Sequence, residues 1–406
     1  MHRAYRFRCY PTPEQAQQLA RTFGCVRHVY NWALDLRSTA WGASKERVSY
    51  HETARRLALL KTDAEKSWLN DVSSVALQQS LRHLDKGFAN FFAGRAKYPR
   101  FKSKRDNVQA ASYMSNGFTL REGRLTLAKH KEPLNVRWSR PLPDGCAPTS
   151  VTVTRDAAGR YHVSILVDEA VAPLPATDHA IGLDMGLTDL GVTSDGARVV
   201  NPRLLPKKLA KIRRWQHKLA RKREAAKASM GLKGEVVPKG ARIPRSNNAM
   251  RVARRVAKIH ASVRDARRDH LHKVSTQLIR ENQVVCVEDL AVSNMVKNPN
   301  LARAIADASW RELRSMLEYK AAMYGRQFVV VNRWLPSSKR CSACGHVLES
   351  LPLSARAWTC PHCGLRHDRD INAARNILAA GLAQLHEQST AGPAGIYACQ
   401  APKGAS

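Results

Sequence analysis

The chain has 406 residues, 44% of them hydrophobic, enough for two or three domains with proper cores and too many for a disordered polymer. Its 67 Lys and Arg face 33 Asp and Glu, and a charge of +34 would destabilise a compact protein unless a polyanion, most obviously nucleic acid, neutralised it. No apolar run suits a transmembrane helix, neither end carries a lipidation pattern, and MHRAYRFRCYPTPEQ lacks a signal-peptide apolar core, so no membrane partner is expected.

Residues Tyr5–Tyr10 alternate apolar and basic side chains, a strand pattern closed by Pro11. Thr12 is placed to cap a helix with Pro13 at its first position and Glu14 and Gln15 in its first turn. Helical periodicity then runs to about Phe92. Leu19, Phe23, Val26, Val29, Tyr30 and Ala33 form one face, and Leu77, Leu81, Leu84, Phe88 and Phe91 form another, both read as bundle core. The basic run Arg95, Lys97, Arg100, Lys102, Lys104 and Arg105 reads as a solvated linker.

From Phe118 to Val171 the pattern turns to short strands, with turn signals at Arg121–Arg124 and Asp156–Gly159. This predicts a small antiparallel barrel or sheet that the first strand joins, with the helical block inserted. Pro173–Asp178 is a linker, and Ile181–Thr193 is strand, glycine turn and second strand. Two long basic helices follow, Pro206–Ser229 and Asn247–Glu281. They carry Arg213, Arg214, Lys218, Arg221, Lys222, Arg254, Arg255, Lys258, Arg264, Arg267 and Arg268, with too few acids for i,i+4 pairing, so a phosphate-facing surface is expected. Val284–Val287 is a buried strand, Leu301–Tyr324 a helix and Phe328–Val331 another strand. The chain past Leu385 is read as a disordered tail.

Two Cys-x-x-Cys pairs, Cys341/Cys344 and Cys360/Cys363, stand 15 residues apart, each followed by a glycine, Gly345 and Gly364. Paired knuckles at this spacing suit one tetrahedral zinc, and four thiolates leave no open position, so the ion is structural. A disulfide or redox pair would account for one Cys-x-x-Cys but poorly for both. The scattered Cys9, Cys25, Cys146, Cys286 and Cys399 favour reduced thiols in a cytoplasm.

Asp184 ends one apolar strand, Glu288 ends another, and Asp370 opens a helix. Short acids on such rigid positions can converge on hard cations, as a pair of magnesium ions requires. Each has a plainer use: a helix cap for Asp370, a hairpin turn for Asp184 as for Asp189 and Asp195, a surface acid for Glu288. Asp368 and Asp289 are credible substitutes.

Together IGLDMGLTDLGV, Glu288-Asp-Leu290 with Asn294-Met295, Ser337-Ser-Lys-Arg-Cys341-Ser-Ala-Cys344-Gly345, and Asp368-Arg-Asp370-Ile-Asn372-Ala-Ala-Arg-Asn376-Ile377 resemble the TnpB family. This transposon-encoded family is related to the type V CRISPR effector nucleases. The opening YRFRCYPTPEQ…FGCVRHVYNWAL resembles it too.

The resemblance implies an α+β multidomain fold: a wedge β-barrel (1–12 and 96–175) interrupted by a helical recognition domain (13–95). An RNase H-like, RuvC-type nuclease domain follows (176–335 and 366–385), with an inserted zinc ribbon (336–365) and a tail (386–406). It further implies catalysis by Asp184, Glu288 and Asp370 with two Mg2+ ions, and one structural Zn2+ on Cys341, Cys344, Cys360 and Cys363. The implied partners are a guide RNA from the transposon end and double-stranded target DNA with a short adjacent motif, one protein copy per guide, on the nucleoid. The rival readings are a nuclease-inactive RNA-guided repressor, set back by the presence of all three acids, and a transposase accessory protein.

Overall fold

The structure is a computed structural model that describes residues 1–106, 108–238, 241–352 and 354–390. The chain divides into two compact units, Met1–Ala170 with Leu219–Lys258, and Val171–Lys218 with Ile259–Ser406.

In the first unit β1 (His2–Cys9) leads into helix α1 (Pro13–Ser44). Thr12 caps α1 as expected, and Gln15 completes a reciprocal capping box with it, each side chain accepting from the other's backbone N–H. Helices α2 (Tyr50–Leu60) and α3 (Ser74–Phe92) follow, then strands β2 (Val108–Met114), β3 (Phe118–Arg121), β4 (Arg124–Leu127), β5 (Val136–Arg137), β6 (Pro148–Asp156) and β7 (Tyr161–Asp168). The main sheet runs β2-β6-β7-β1-β5, entirely antiparallel, so β1 does pair with strands more than a hundred residues away. It is an open sheet with β2 and β5 at its edges; no closure into a barrel occurs among the described residues. Glu122 (φ 48°) and Gly123 (φ 72°) make the tight turn between β3 and β4. The inward face of α1 is buried as read, but Phe88 and Phe91 are only half-buried.

The second unit contains β8 (Ala180–Asp184), β9 (Gly191–Thr193) and β10 (Arg198–Val199), then the long helices α4 (Leu204–Ala228) and α5 (Asn247–Glu281), whose far ends belong to the first unit. Next come β11 (Val284–Glu288), α6 (Val292–Met295), α7 (Ala302–Ala308), α8 (Trp310–Tyr324), β12 (Gln327–Val331), β13 (Ala357–Thr359), β14 (Arg366–Asp368) and α9 (Arg369–Thr390). The single helix expected over Leu301–Tyr324 is two, because Ser309 takes the left-handed conformation (φ 56°) and breaks it. Residues 386–390, expected in the tail, complete α9; 391–406 lie outside the described residues.

The sheet order is β10-β9-β8-β11-β12, with β8, β11 and β12 parallel and β9 and β10 added antiparallel. Strands β8 and β11 read as near-continuous apolar runs because both their faces are covered, as parallel strands require. Leu271 and Ile279 of α5 with Leu313 and Leu317 of α8 pack into one core cluster, and Ile377 of α9 joins Cys286 and Val329 in another.

Candidate active site and metal centre

Register brings two of the three acids side by side. Leu183 faces Val287 across the parallel β8–β11 ladder, so Asp184 and Glu288 are the next neighbours, both at the C-terminal ends of their strands. Adjacent strands lie about 4.8 Å apart, which puts the two carboxylates on one rim. Asp370 reaches the same rim from the first turn of α9. The outcome is electrostatic: burial, then the charges of Glu288 and Asp370, push Asp184 up to about 7 against the opposing pull of Arg369. Ser337 donates its hydroxyl to Glu288 Oε1 (2.6 Å), and Arg356 Nη1 stands 3.9 Å from Asp370 Oδ2.

The helix carrying Asp370 lies on the sheet at backbone distance. A Cβ at Gly182 would overlap the Ala374 carbonyl oxygen and stand 2.8 Å from the Leu378 nitrogen, and one at Gly381 would overlap Cys286 Sγ. Two glycines and the buried Ala373 and Ala374 thus seat α9 on β8 and β11. Nothing in the apolar strand pattern marks Gly182 for this, and the sequence reading missed it.

The two substitute acids have other occupations. Asp368 Oδ1 accepts from the N–H groups of Asp370 (3.0 Å) and Ile371 (3.1 Å), so Asp368 is the cap of α9, the plainer use first considered for Asp370. Its other oxygen pairs with Arg198 (2.8 Å), which also binds Asp189 (3.0 Å). Asp195 is a turn residue accepting from the Thr193 hydroxyl and the Ala197 N–H. Asp289 is held by Arg314 (2.6 Å) and Arg333, and these two guanidiniums keep its carboxyl below the usual range. Arg314, Arg333 and Arg311 line a cavity of about 540 Å³ beside Glu288, floored by Met185 and Trp310.

The four cysteines meet as spaced. All four sulfurs lie within 4.8 Å of one another, with Cys341–Cys363 and Cys344–Cys360 each at 3.6 Å. Four sulfurs 2.3 Å from one tetrahedral ion would stand about 3.8 Å apart, so the set fits zinc. The two knuckles repeat one geometry: Gly345 (φ 80°) donates its N–H to the Cys341 carbonyl, and Gly364 (φ 73°) to that of Cys360. His367, buried against the Trp358 ring, places Nε2 3.0 Å from Cys341 Sγ. Burial works against ionising Cys341, but the Cys344 and Ala343 backbone N–H groups and His367 bring its thiol down to about 5.

Two buried asparagines tie the cage to the acids. Asn376 Nδ2 donates to the carbonyls of Ser337 (2.8 Å) and Arg340 (2.6 Å); Asn372 donates to that of Arg340 (2.7 Å) and accepts from the Ser342 N–H (2.9 Å). Both belong to the motif quoted above, where no role was visible for them. The basic helices are as expected in extent, but Arg267 and Arg268 are engaged by Asp307 (2.6 Å) and Glu312 (2.7 Å) and leave the phosphate-facing set.

Three family models match the chain: "Cas12f1-like, TNB domain" over residues 310–377, "Helix-turn-helix domain" over 1–46 and "Probable transposase" over 239–299. In the structure residues 1–46 are β1 and the single helix α1. A "Putative RNA-guided DNA endonuclease" of Streptomyces pristinaespiralis is 51% identical, over 94% of this chain and 90% of its own. The "Putative RNA-guided DNA endonuclease InsQ" of Escherichia coli K12 is 31% identical, over 94% of this chain and 93% of its own. Among solved structures, the protein of a Cas12f1–sgRNA–target DNA complex covers 93% of this chain and 98% of its own at 12% identity and a TM-score of 0.46.

Proposed function

The chain belongs to the TnpB family, and on that premise we propose that it is an RNA-guided DNA endonuclease whose catalytic acids are Asp184, Glu288 and Asp370. The observation that carries this reading is the convergence of the three carboxylates: Asp184 and Glu288 end neighbouring parallel strands, and the charges of Glu288 and Asp370 add to burial in raising Asp184 to about 7. Acids that repel one another so closely are a poor use of a fold unless a cation sits among them. Their oxygen donors suit magnesium, and phosphodiester hydrolysis is commonly served by two such ions. Such ions would supply the positive charge that activates water and steadies the departing oxygen of a phosphodiester.

The protein's own part is to hold the acids still. Strands β8 and β11 fix Asp184 and Glu288, the Ser337 hydroxyl occupies one oxygen of Glu288, and the Asp368 cap sets where Asp370 leaves α9. The sheet, three parallel strands extended by two antiparallel ones under helices on both faces, supports an RNase H-like, RuvC-type domain over 176–335 and 366–385. Residues 336–365 are then its zinc ribbon, 1–12 and 96–175 the wedge, and 13–95 the recognition domain. The net charge of +34 suits a protein that holds guide RNA and target DNA by their backbones while base pairing supplies sequence choice.

The test is Asp184→Ala in the purified protein with its co-purifying RNA. Cleavage should vanish while RNA and target binding persist; cleavage that survives the change removes the assignment.

A further inference from the structure

The basic stretch after α3 reads in sequence as a solvated linker, yet it is fastened along its length. Arg95 and Ala96 both donate backbone N–H to the Asn90 carbonyl (2.9 and 3.1 Å). Tyr98 enters edge-on to Phe88 and Phe91, with centroids 5.5 and 5.3 Å away at 85° and 84°, and its hydroxyl is 3.0 Å from Ser38 Oγ on α1. Asn31 of α1 then grips Lys102 at both its carbonyl (2.9 Å) and its N–H (2.8 Å).

On this fixed seat the aromatic rings stay in the open. Phe92 lies nearly parallel to Phe88 (6.3 Å, 22°) and is 77% exposed, while Tyr98 and Phe101 are 50% and 57% exposed. Exposed Arg95, Lys97 and Arg100 alternate with them, and Arg37 lies over the Phe88 ring at 5.3 Å. A cluster of exposed rings on a monomer usually marks a contact surface. The interleaved cations say what it contacts: a second copy, itself at +34, would be repelled, whereas a nucleic-acid strand offers phosphates for the cations and flat bases for the rings.

We propose that Phe92 and Tyr98 form a stacking platform for unpaired bases of a single strand, with Arg95, Lys97 and Arg100 holding its phosphodiester backbone. The proposal rests on the nucleic-acid partner argued above but not on cleavage, so it is tested by binding alone.

The full chain, without divalent metal, is titrated with oligouridylate, with oligothymidylate and with an abasic oligonucleotide of equal length. Phe92→Ala, a change at an exposed position, should weaken the base-bearing strands about tenfold and leave the abasic strand unchanged. The strand with the larger loss, RNA or DNA, is the one the platform serves. Equal affinity of Phe92→Ala and the parent for all three, or an equal loss on the abasic strand, overturns the proposal. So does self-association of the parent that Phe92→Ala abolishes, which would make the rings an interface between copies. Should the parent bind no strand at all, the nucleic-acid partner itself is refuted and the platform with it.

Discussion

Gly182 of β8 and Ala374 of α9 meet backbone to backbone: any side chain on Gly182 would drive into the Ala374 carbonyl. That contact sets the height of Asp370, four residues before Ala374, above Asp184, two residues after Gly182. Gly182→Ala should therefore lift α9 and separate the acids. A stability loss of about 1–3 kcal/mol follows from overpacking. Thermal melting should fall by several degrees, and cleavage should fall far more than guide binding. Parental cleavage by Gly182→Ala would show that the helix seat does not set the spacing.

The four-cysteine cage that fits zinc rests on neighbouring side chains, and these supports can be removed one at a time. His367→Gln deletes the ring beside Cys341 Sγ, and losses of such outer partners typically weaken metal affinity about 10–100-fold. Competition with a chromophoric chelator reads this directly. Asn376→Ala removes one of two donors from the carbonyls of Ser337 and Arg340, which keep Asn372 as the other, at a cost of about 0.5–1.5 kcal/mol. It should lower melting with the cysteines untouched. An unchanged chelator titration for His367→Gln would mean that its ring only packs on Trp358.

His162, on β7, supplies a pH dependence confined to the first unit. Burial first, then Arg6 and Arg8 on β1 and Arg160, push its imidazole down to about 4; Asp156 on β6 opposes them. The unfolded chain takes up a proton near the ordinary value of about 6.5, where the folded one does not. Stability from this residue is therefore complete above that value and is lost as pH falls toward 4. Between pH 7 and 5 the parent should lose more melting temperature than His162→Gln. Equal slopes would place the burden elsewhere.

Much of this was legible because the chemistry repeats locally. Cys-x-x-Cys followed by glycine describes a knuckle by itself, and Thr12-Pro13-Glu14-Gln15 describes a capped helix, so both appear where their residues predict. The acids were legible as strand ends and a helix start. Their ranking over Asp289 and Asp368 was not, because it depends on Arg314, Arg333 and Arg198, which are brought up only by tertiary structure. Gly182, Asn372 and Asn376 were invisible for the same reason: a glycine in a strand or an asparagine in a helix shows no purpose until its neighbour across the fold is known. The break at Ser309 escaped because serine carries no turn signal of the kind glycine does.

The cap of α9 has one more implication. With Asp368 fixing where the helix begins, Asp370 is aimed by counting: a single residue inserted between them would swing its carboxylate around the helix by about 100°. Here the length of the chain is held more tightly than its lettering, and anyone grafting new segments into this protein should leave the interval from Asp368 to Asp370 alone.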